Sequence, residues 1–416
     1  MRQRQSHLRR RQLVLLCLSA VAENQPANKH RMNPELSSFA ARLRGLIDQH
    51  QFFSGEQPLL QDFDSLALEL FALQFKHNAA YRKICEACKL MPQTVEHWTQ
   101  ISSVPTATFK ELELTSIPAQ ERTAVFHSSG TTEQKPSRHF HNVESLAVYE
   151  ASLWPWFEAN VLPDLRFAND DFRAADQSAI GNRQSAIFLT PRSEQVPNSS
   201  LVHMFEIVRR KLGANNAAFV GKLGEDGAWT LNFDAALAAL NSSIATRHSS
   251  LVLGTAFSFV HLLDYLGERD LQIKLPAGSR VMETGGYKNR SRTMPKAELH
   301  ALITERLGVQ RENILCEYGM SELSSQAYEI QNSKFKIQNA EGFQFPPWAR
   351  IQIISPENGG EVAEGETGLI RIFDLANVFS VAAIQTEDLG VRRGDGFELI
   401  GRAQLAEPRG CSLMNA

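Results

Sequence analysis

The sequence predicts an α/β fold in which mainly parallel βαβ subdomains are followed by a small antiparallel β subdomain. Two observations carry this. Between Ser185 and Cys316, short apolar runs alternate with amphipathic stretches of helical period, the pattern of a parallel sheet covered by helices on both faces. After Phe345 the texture changes to polar–apolar alternation broken by glycine-rich turns, the pattern of antiparallel strands. A chain of 416 residues, 43% of them hydrophobic, is long enough for a large core.

In order, residues 33–90 read as two helices. Leu36, Phe39, Leu43, Leu46 and Ile47 recur at helical spacing, and Leu66, Leu68, Leu70, Phe71 and Phe75 do so more loosely. Asn33-Pro34-Glu35 opens the first with a cap, a proline and an acid at the positive end of the dipole. A loop region runs to Val125. Asn142 to Trp154 reads as a helix, which Pro155 is expected to end because its ring clashes with the preceding turn.

Strands are then expected at Ala186–Leu189, Leu251–Leu253, Arg280–Met282 and Ile314–Cys316. Helices are expected at Ser200–Leu212, Asp234–Ile244, Phe257–Leu266 and Pro295–Leu307. Ligands of such sheets bind beyond the carboxyl ends of the strands. Gly285-Gly286 and Tyr318-Gly319 lie just past two of these ends. Farther on, Arg350–Ile354 and Leu369–Phe373 alternate, set apart by Asn358-Gly359-Gly360 and Gly365-Glu366-Thr367-Gly368.

A net charge of −3 without a long basic face argues against nucleic-acid binding. Five cysteines, an odd number, do not form a disulfide framework in a chain this long and suit a reducing, cytoplasmic setting. Cys85 and Cys88 sit in a helical pattern with no second pair, and read as buried helix thiols rather than a metal or redox motif.

The chemistry-bearing stretch is His127-Ser128-Ser129-Gly130-Thr131-Thr132-Glu133-Gln134-Lys135. Glycine admits close backbone approach, hydroxyls and amides donate, and lysine adds charge, as a polyphosphate requires. The spacing is not that of a Walker A loop. Farther on come Glu317-Tyr318-Gly319-Met320-Ser321-Glu322, then Thr386-Glu387-Asp388-Leu389-Gly390, then Gly401-Arg402. In this order the motifs resemble those of adenylate-forming enzymes: acyl-CoA ligases, luciferase-type enzymes and peptide-synthetase adenylation domains. The resemblance covers most of the chain from about Asn33.

It implies the fold of the large N-terminal domain of those enzymes, ATP and Mg²⁺ as cofactors, and a carboxylic acid substrate activated as acyl-AMP. Ser128, Ser129, Gly130, Thr131 and Thr132 would hold the β- and γ-phosphates with Lys135 nearby, although Glu133 stands where a second glycine is common. Glu322 would be the Mg²⁺ ligand. Tyr318 would offer a face to adenine, Gly319 and Ser321 would complete that motif, and Gly285-Gly286 would form the adenine-side turn. Asp388 would accept from the ribose hydroxyls, and Arg402 would reach ribose or phosphate. His127, His139 and His141 flank the loop and lack a metal-ligand partner set.

Most members of the superfamily continue past the Gly-Arg hinge into a mobile C-terminal domain with a catalytic lysine. Here only 403–416 follow, and they contain Cys411. A short adenylating chain with a cysteine near its end is similar to the LuxE-type acyl-protein synthetases, relatives of the phenylacetate-CoA ligases. That likeness implies acyl transfer from acyl-AMP to Cys411 and on to a reductase partner. An acyl- or aryl-CoA ligase, and a non-catalytic binding subunit that keeps the fold, stay open as alternatives.

The expected division is a leader at 1–32, an acyl-activating domain at 33–402 and a tail at 403–416. In the leader, Arg9-Arg10-Arg11 before Leu13–Ala22 looks like a secretory signal, too short to span a membrane. An ATP-using enzyme has no use for export, so Met32 is preferred as the natural start and the signal stays as the rival reading.

Overall fold

A computed structural model describes residues 33–49, 62–128, 135–162, 184–213, 217–225, 227–286, 291–330 and 342–403. The expected leader therefore lies outside the described residues, as does the tail beyond Ala403. No described helix is long and apolar enough to cross a membrane.

Among the described residues, the N-terminal region contains three helices where two were expected over 33–90: α1 (Pro34–Gln49), α2 (Phe63–His77) and α3 (Ala79–Ala87). The break falls at Asn78, which is extended and caps α3 by accepting from Tyr81 N at 3.1 Å. A polar side chain that satisfies an orphan amide of the next helix favours a boundary over continuation. Leu36, Phe39, Leu43 and Ile47 are buried as the period predicts, whereas Leu46 is exposed. The short strand β1 (Val104–Pro105) and one turn of helix, α4 (Thr108–Glu111), lead to the hairpin β2 (Ala124–His127) and β3 (Arg138–His141).

The helix expected to stop at Pro155 does not. α5 (Val143–Val161) runs through it, opened by Asn142 accepting from Ser145 N at 2.9 Å. Proline inside a helix costs about 3 kcal/mol. Here Leu153, Trp156, Phe157 and Val161 are all buried, and α5 packs against α1 and the later α6. Burial of several large side chains, about 1.5–3 kcal/mol each, outweighs that local cost.

Next come β4 (Gln184–Phe188), α6 (Ser200–Lys211), β5 (Ala217–Phe219), the small hairpin β6 (Gly221–Leu223) and β7 (Trp229–Leu231), α7 (Phe233–Thr246), β8 (Ser249–Thr255), α8 (Ala256–Glu268), β9 (Arg280–Thr284), α9 (Lys296–Leu307) and β10 (Ile314–Tyr318). Each strand and helix expected in this stretch is present, with its ends within about two residues of those expected. The antiparallel part is β11 (Ala327–Ile330), β12 (Gly342–Gln344), β13 (Ala349–Ile354), β14 (Thr367–Asp374), β15 (Ala383–Arg393) and β16 (Gly396–Arg402).

One path of pairing joins both parts, in the order β13-β14-β15-β16-β12-β11-β10-β9-β8-β4-β5. From β10 to β5 the pairs are parallel, and from β11 to β13 they are antiparallel. The changeover lies at β10. Its carboxyl end carries Tyr318-Gly319-Met320-Ser321-Glu322 and faces the antiparallel strands that supply Asp388 and Arg402.

Candidate active site

The hydroxyl-rich run is the connection of the β2–β3 hairpin, in which His127 pairs with Arg138. Ser129, Gly130, Thr131 and Thr132 lie outside the described residues. Ser128 closes the stem: its Oγ accepts from Ser137 N at 3.0 Å, and its N donates to Ser137 Oγ at 3.3 Å. Ser137 Oγ lies 3.3 Å from Ser321 Oγ, which donates to Glu322 Oε2 at 3.0 Å. A continuous hydroxyl chain thus joins the loop stem to Glu322, across 184 residues of sequence between Ser137 and Ser321.

Glu322 is buried, and no ion pair of the described residues involves it. A buried carboxylate without a cation is costly. Its surroundings are oxygen-rich and suit a hard cation such as Mg²⁺, which takes one or two carboxylates together with phosphate oxygens and water.

The turn is held from below by residues that the sequence reading missed. Asp374 accepts from Ser324 N at 3.0 Å, Ser325 N at 2.8 Å, Ser325 Oγ at 2.7 Å and Ala376 N at 2.9 Å. Burial pushes its carboxyl above the usual range, and these four bonds pull the other way. Asn377 Nδ2 donates to Glu322 O at 2.9 Å, and Ser324 Oγ donates to Asn377 Oδ1 at 2.7 Å. Gln74 of α2 donates to Asn377 O at 2.8 Å and accepts from Ala382 N at 3.0 Å. A signal was available: an acid and an amide stand inside the apolar run Ile372–Phe379.

On the other side of the turn, Tyr318 Oη donates to Asp388 Oδ2 at 2.9 Å. The ring is only 7% exposed and is enclosed by Phe343, Phe345 and Phe397. What the packing fixes is therefore the hydroxyl, and little of the face expected to receive adenine is open. Burial, and then Asp388, push the phenol well above its ordinary pKa, so it remains a donor. Burial raises the Asp388 carboxyl, opposed by the Tyr318 hydroxyl and Arg402. Arg402 Nε lies 3.8 Å from Asp388 Oδ1 and 3.8 Å from Glu387 Oε2, on a side chain 74% exposed. Asp388 thus has one oxygen committed to tyrosine and one beside arginine.

Gly285, at φ +69°, and Gly286 follow β9 with open space around them. Gly319 is different. A Cβ there would drive into Glu317 Oε1, and Glu317 is itself buried and bonded to Thr284 Oγ1. Gly319→Ala should cost about 1–3 kcal/mol, as overpacking does, and should lower both the melting temperature and acid-dependent pyrophosphate exchange. Unchanged values for both would show that the Glu317 contact yields freely.

Lys135 leaves the loop on the exposed side. Its Nζ pairs with Glu111 at 3.3 Å, and the side chain is 53% exposed. It stands at the mouth of the hairpin rather than in the buried chain.

His139 and His141 are inward-facing, whereas His127 is only partly buried. His139 Nδ1–H donates to Ser321 O at 2.9 Å, and burial lowers its pKa to about 4. His141 is also pushed well below the usual value, first by burial and then by His139 and His203. Both are therefore neutral at pH 7, whereas an unfolded histidine titrates near 6.5. Below that value the unfolded chain binds protons that the folded chain refuses, so stability is fully present above pH 6.5 and is lost as pH falls toward 4. Each such group contributes roughly 1.4 kcal/mol per pH unit within the window. Urea denaturation at stepped pH should show His139→Asn with a shallower acid slope than wild type. Equal slopes would rule out His139 as a contributor.

The family model "Acyl-protein synthetase, LuxE" matches residues 204–416. The long-chain-fatty-acid–luciferin-component ligase of Aliivibrio fischeri is 21% identical over 367 residues, covering 85% of this chain and 87% of that protein. Its Vibrio harveyi counterpart is 20% identical over 352 residues, covering 82% and 84%. Among solved structures, an open conformation of 2-hydroxyisobutyryl-CoA ligase, in complex with 2-HIB-AMP and CoA, shares the fold. Its TM-score is 0.53 at 13% identity, over 92% of this chain and 80% of that one. With the family match spanning the Tyr-Gly-Met-Ser-Glu turn, Asp388 and Arg402, the chain belongs to the LuxE family of acyl-protein synthetases.

Proposed function

We propose that this protein uses ATP to activate a long-chain fatty acid as acyl-AMP, then moves the acyl group to Cys411 and on to a partner protein. The observation that carries the reading is the buried Glu322, which has no ion-pair partner among the described residues and is tied through Ser321, Ser137 and Ser128 to the stem of the hydroxyl-rich loop. The names of the Aliivibrio and Vibrio relatives support a fatty acid as substrate. The family match extends over 403–416 and so includes Cys411. Residues 33–402 are then the acyl-activating domain.

Both reactants are anionic, so the site must collect positive potential where charge builds up. Ser128 to Thr132 and Lys135 bind the β- and γ-phosphates. Glu322 would hold Mg²⁺, which when bound would neutralise phosphate charge and polarise the phosphoryl oxygens. Asp388 fixes the ribose, positioned by Tyr318, and Arg402 neutralises charge beside it. The fatty carboxylate attacks the α-phosphorus and pyrophosphate leaves. The Cys411 thiolate then attacks the acyl carbon, forming the thioester and releasing AMP.

Isotope exchange between pyrophosphate and ATP tests the first half. Exchange should require a long-chain acid and Mg²⁺. No exchange with any of a panel of acids would instead describe a binding protein that keeps the fold. Acid-dependent exchange with acyl-CoA formed on adding CoA, and no self-acylation, would describe a CoA ligase.

A further inference from the structure

A second buried cluster lies under the adenine-side turns, outside the machinery above. Glu283 of β9 and Cys316 of β10 are direct partners in the parallel ladder, so both side chains leave the sheet on one face. His300 of α9, completely buried, meets them there. Cys316 Sγ lies 2.9 Å from Glu283 Oε1 and 3.7 Å from His300 Nε2, and His300 Nε2 lies 3.4 Å from Glu283 Oε1. One ligand atom from each residue falls within 4.8 Å of the others.

The pattern is not that of a catalytic triad. In a triad the imidazole uses one nitrogen toward the nucleophile and the other toward the acid. Here thiol and carboxylate converge on the same nitrogen, Nε2, and His300 Nδ1 has no hydrogen-bond partner among the described residues. Protein hydrogen bonds thus serve this imidazole poorly. Neither is the thiol open to substrate, since Cys316 is buried. The nearby Lys296 ammonium is engaged by Glu329 at 2.6 Å.

We infer that Glu283, His300 and Cys316 supply three ligands of a Zn²⁺ site that ties β9, β10 and α9 together, with water completing the tetrahedron. One thiolate, one imidazole and one carboxylate are the donor types that zinc accepts, and the sulfur disfavours Mg²⁺ or Ca²⁺. Zinc bond lengths in a tetrahedron place ligand atoms about 3.3–3.6 Å apart. The His300–Glu283 and His300–Cys316 separations already approach that spacing, and only the sulfur–oxygen pair must open. On binding, the Cys316 thiol releases its proton to solvent and its sulfur lone pair forms the metal bond. Two anionic ligands then balance the dication. The site sits just before Gly285-Gly286 on β9 and Tyr318-Gly319 on β10, so its role is to hold the starting points of both turns.

Metal analysis and cobalt spectroscopy test this without any activity assay. Full-length protein, purified without chelator, should contain about one zinc per chain. Metal-stripped protein titrated with Co²⁺ should develop a near-ultraviolet thiolate-to-cobalt band that saturates at about one equivalent. The band should be lost in Cys316→Ser and in His300→Gln, and kept in Cys411→Ser and Cys88→Ser. Wild-type protein that holds no zinc and gives no such band would overturn the site, and so would a band that persists in Cys316→Ser. The wild-type measurements stand even if a variant fails to fold.

Discussion

Glu322→Gln is expected to lower acyl-adenylate formation by about 10²–10³-fold, the range for removing one strong electrostatic stabiliser from an active site. The amide keeps the shape of the side chain and can still accept from Ser321 Oγ, which now donates to Glu322 Oε2 at 3.0 Å. What it removes is the negative charge. In the absence of ATP and metal, the folded protein should be no less stable, because a buried carboxylate without a cation becomes a neutral group. The combination separates a functional from a structural role. A stable variant that has lost pyrophosphate exchange, with the defect undiminished at limiting Mg²⁺, is the expected outcome. An unchanged exchange rate at limiting Mg²⁺ would remove Glu322 from the metal site.

Cys411→Ser is expected to abolish covalent labelling while leaving the proposed first half-reaction largely intact. Wild-type protein given ATP, Mg²⁺ and labelled fatty acid should itself become labelled. Neutral hydroxylamine should release that label, as it does a thioester far faster than an ordinary oxygen ester. Serine at 411 is a much poorer nucleophile, because the thiolate is what attacks. Acid-dependent pyrophosphate exchange should persist, since in the proposed sequence acyl-AMP forms before the thiol reacts. Hydroxylamine-labile label remaining on Cys411→Ser would move the acceptor elsewhere. Cys316 is then a poor second choice: it is buried, and burial together with Glu283 pushes its thiol well above the ordinary value.

The elements that were legible before the structure are those in which local pattern and burial agree. Ile314–Tyr318 is apolar at its start, short and bounded by turns, and it is a buried central strand. Lys296–Leu307 has helical period and a glycine at its end, where Gly308 takes φ +67°. Local chemistry misled where packing prevailed. Pro155 says stop, and the buried Trp156 and Phe157 carry α5 past it. Leu66 to Leu90 reads as one helical stretch, and Asn78 divides it because its side chain serves the next helix and donates to Ser380 O at 3.2 Å.

The same division holds for the site. By itself the sequence determined the alternation that makes a parallel sheet, the order of the motifs, and the residue types able to meet phosphate, magnesium and ribose. Each of these is carried by neighbours along the chain. Only the tertiary structure decided that Ser137 links the loop stem to Glu322, that Asp374 and Asn377 hold the turn, and that Tyr318 spends its hydroxyl on Asp388. It alone brought Glu283, His300 and Cys316 to one point. The physical reason is that hydrogen bonding and charge compensation act over a few ångströms, whereas the partners are tens to hundreds of residues apart. A sequence specifies the chemistry of each side chain; the sheet that changes from parallel to antiparallel at β10 specifies which of them meet.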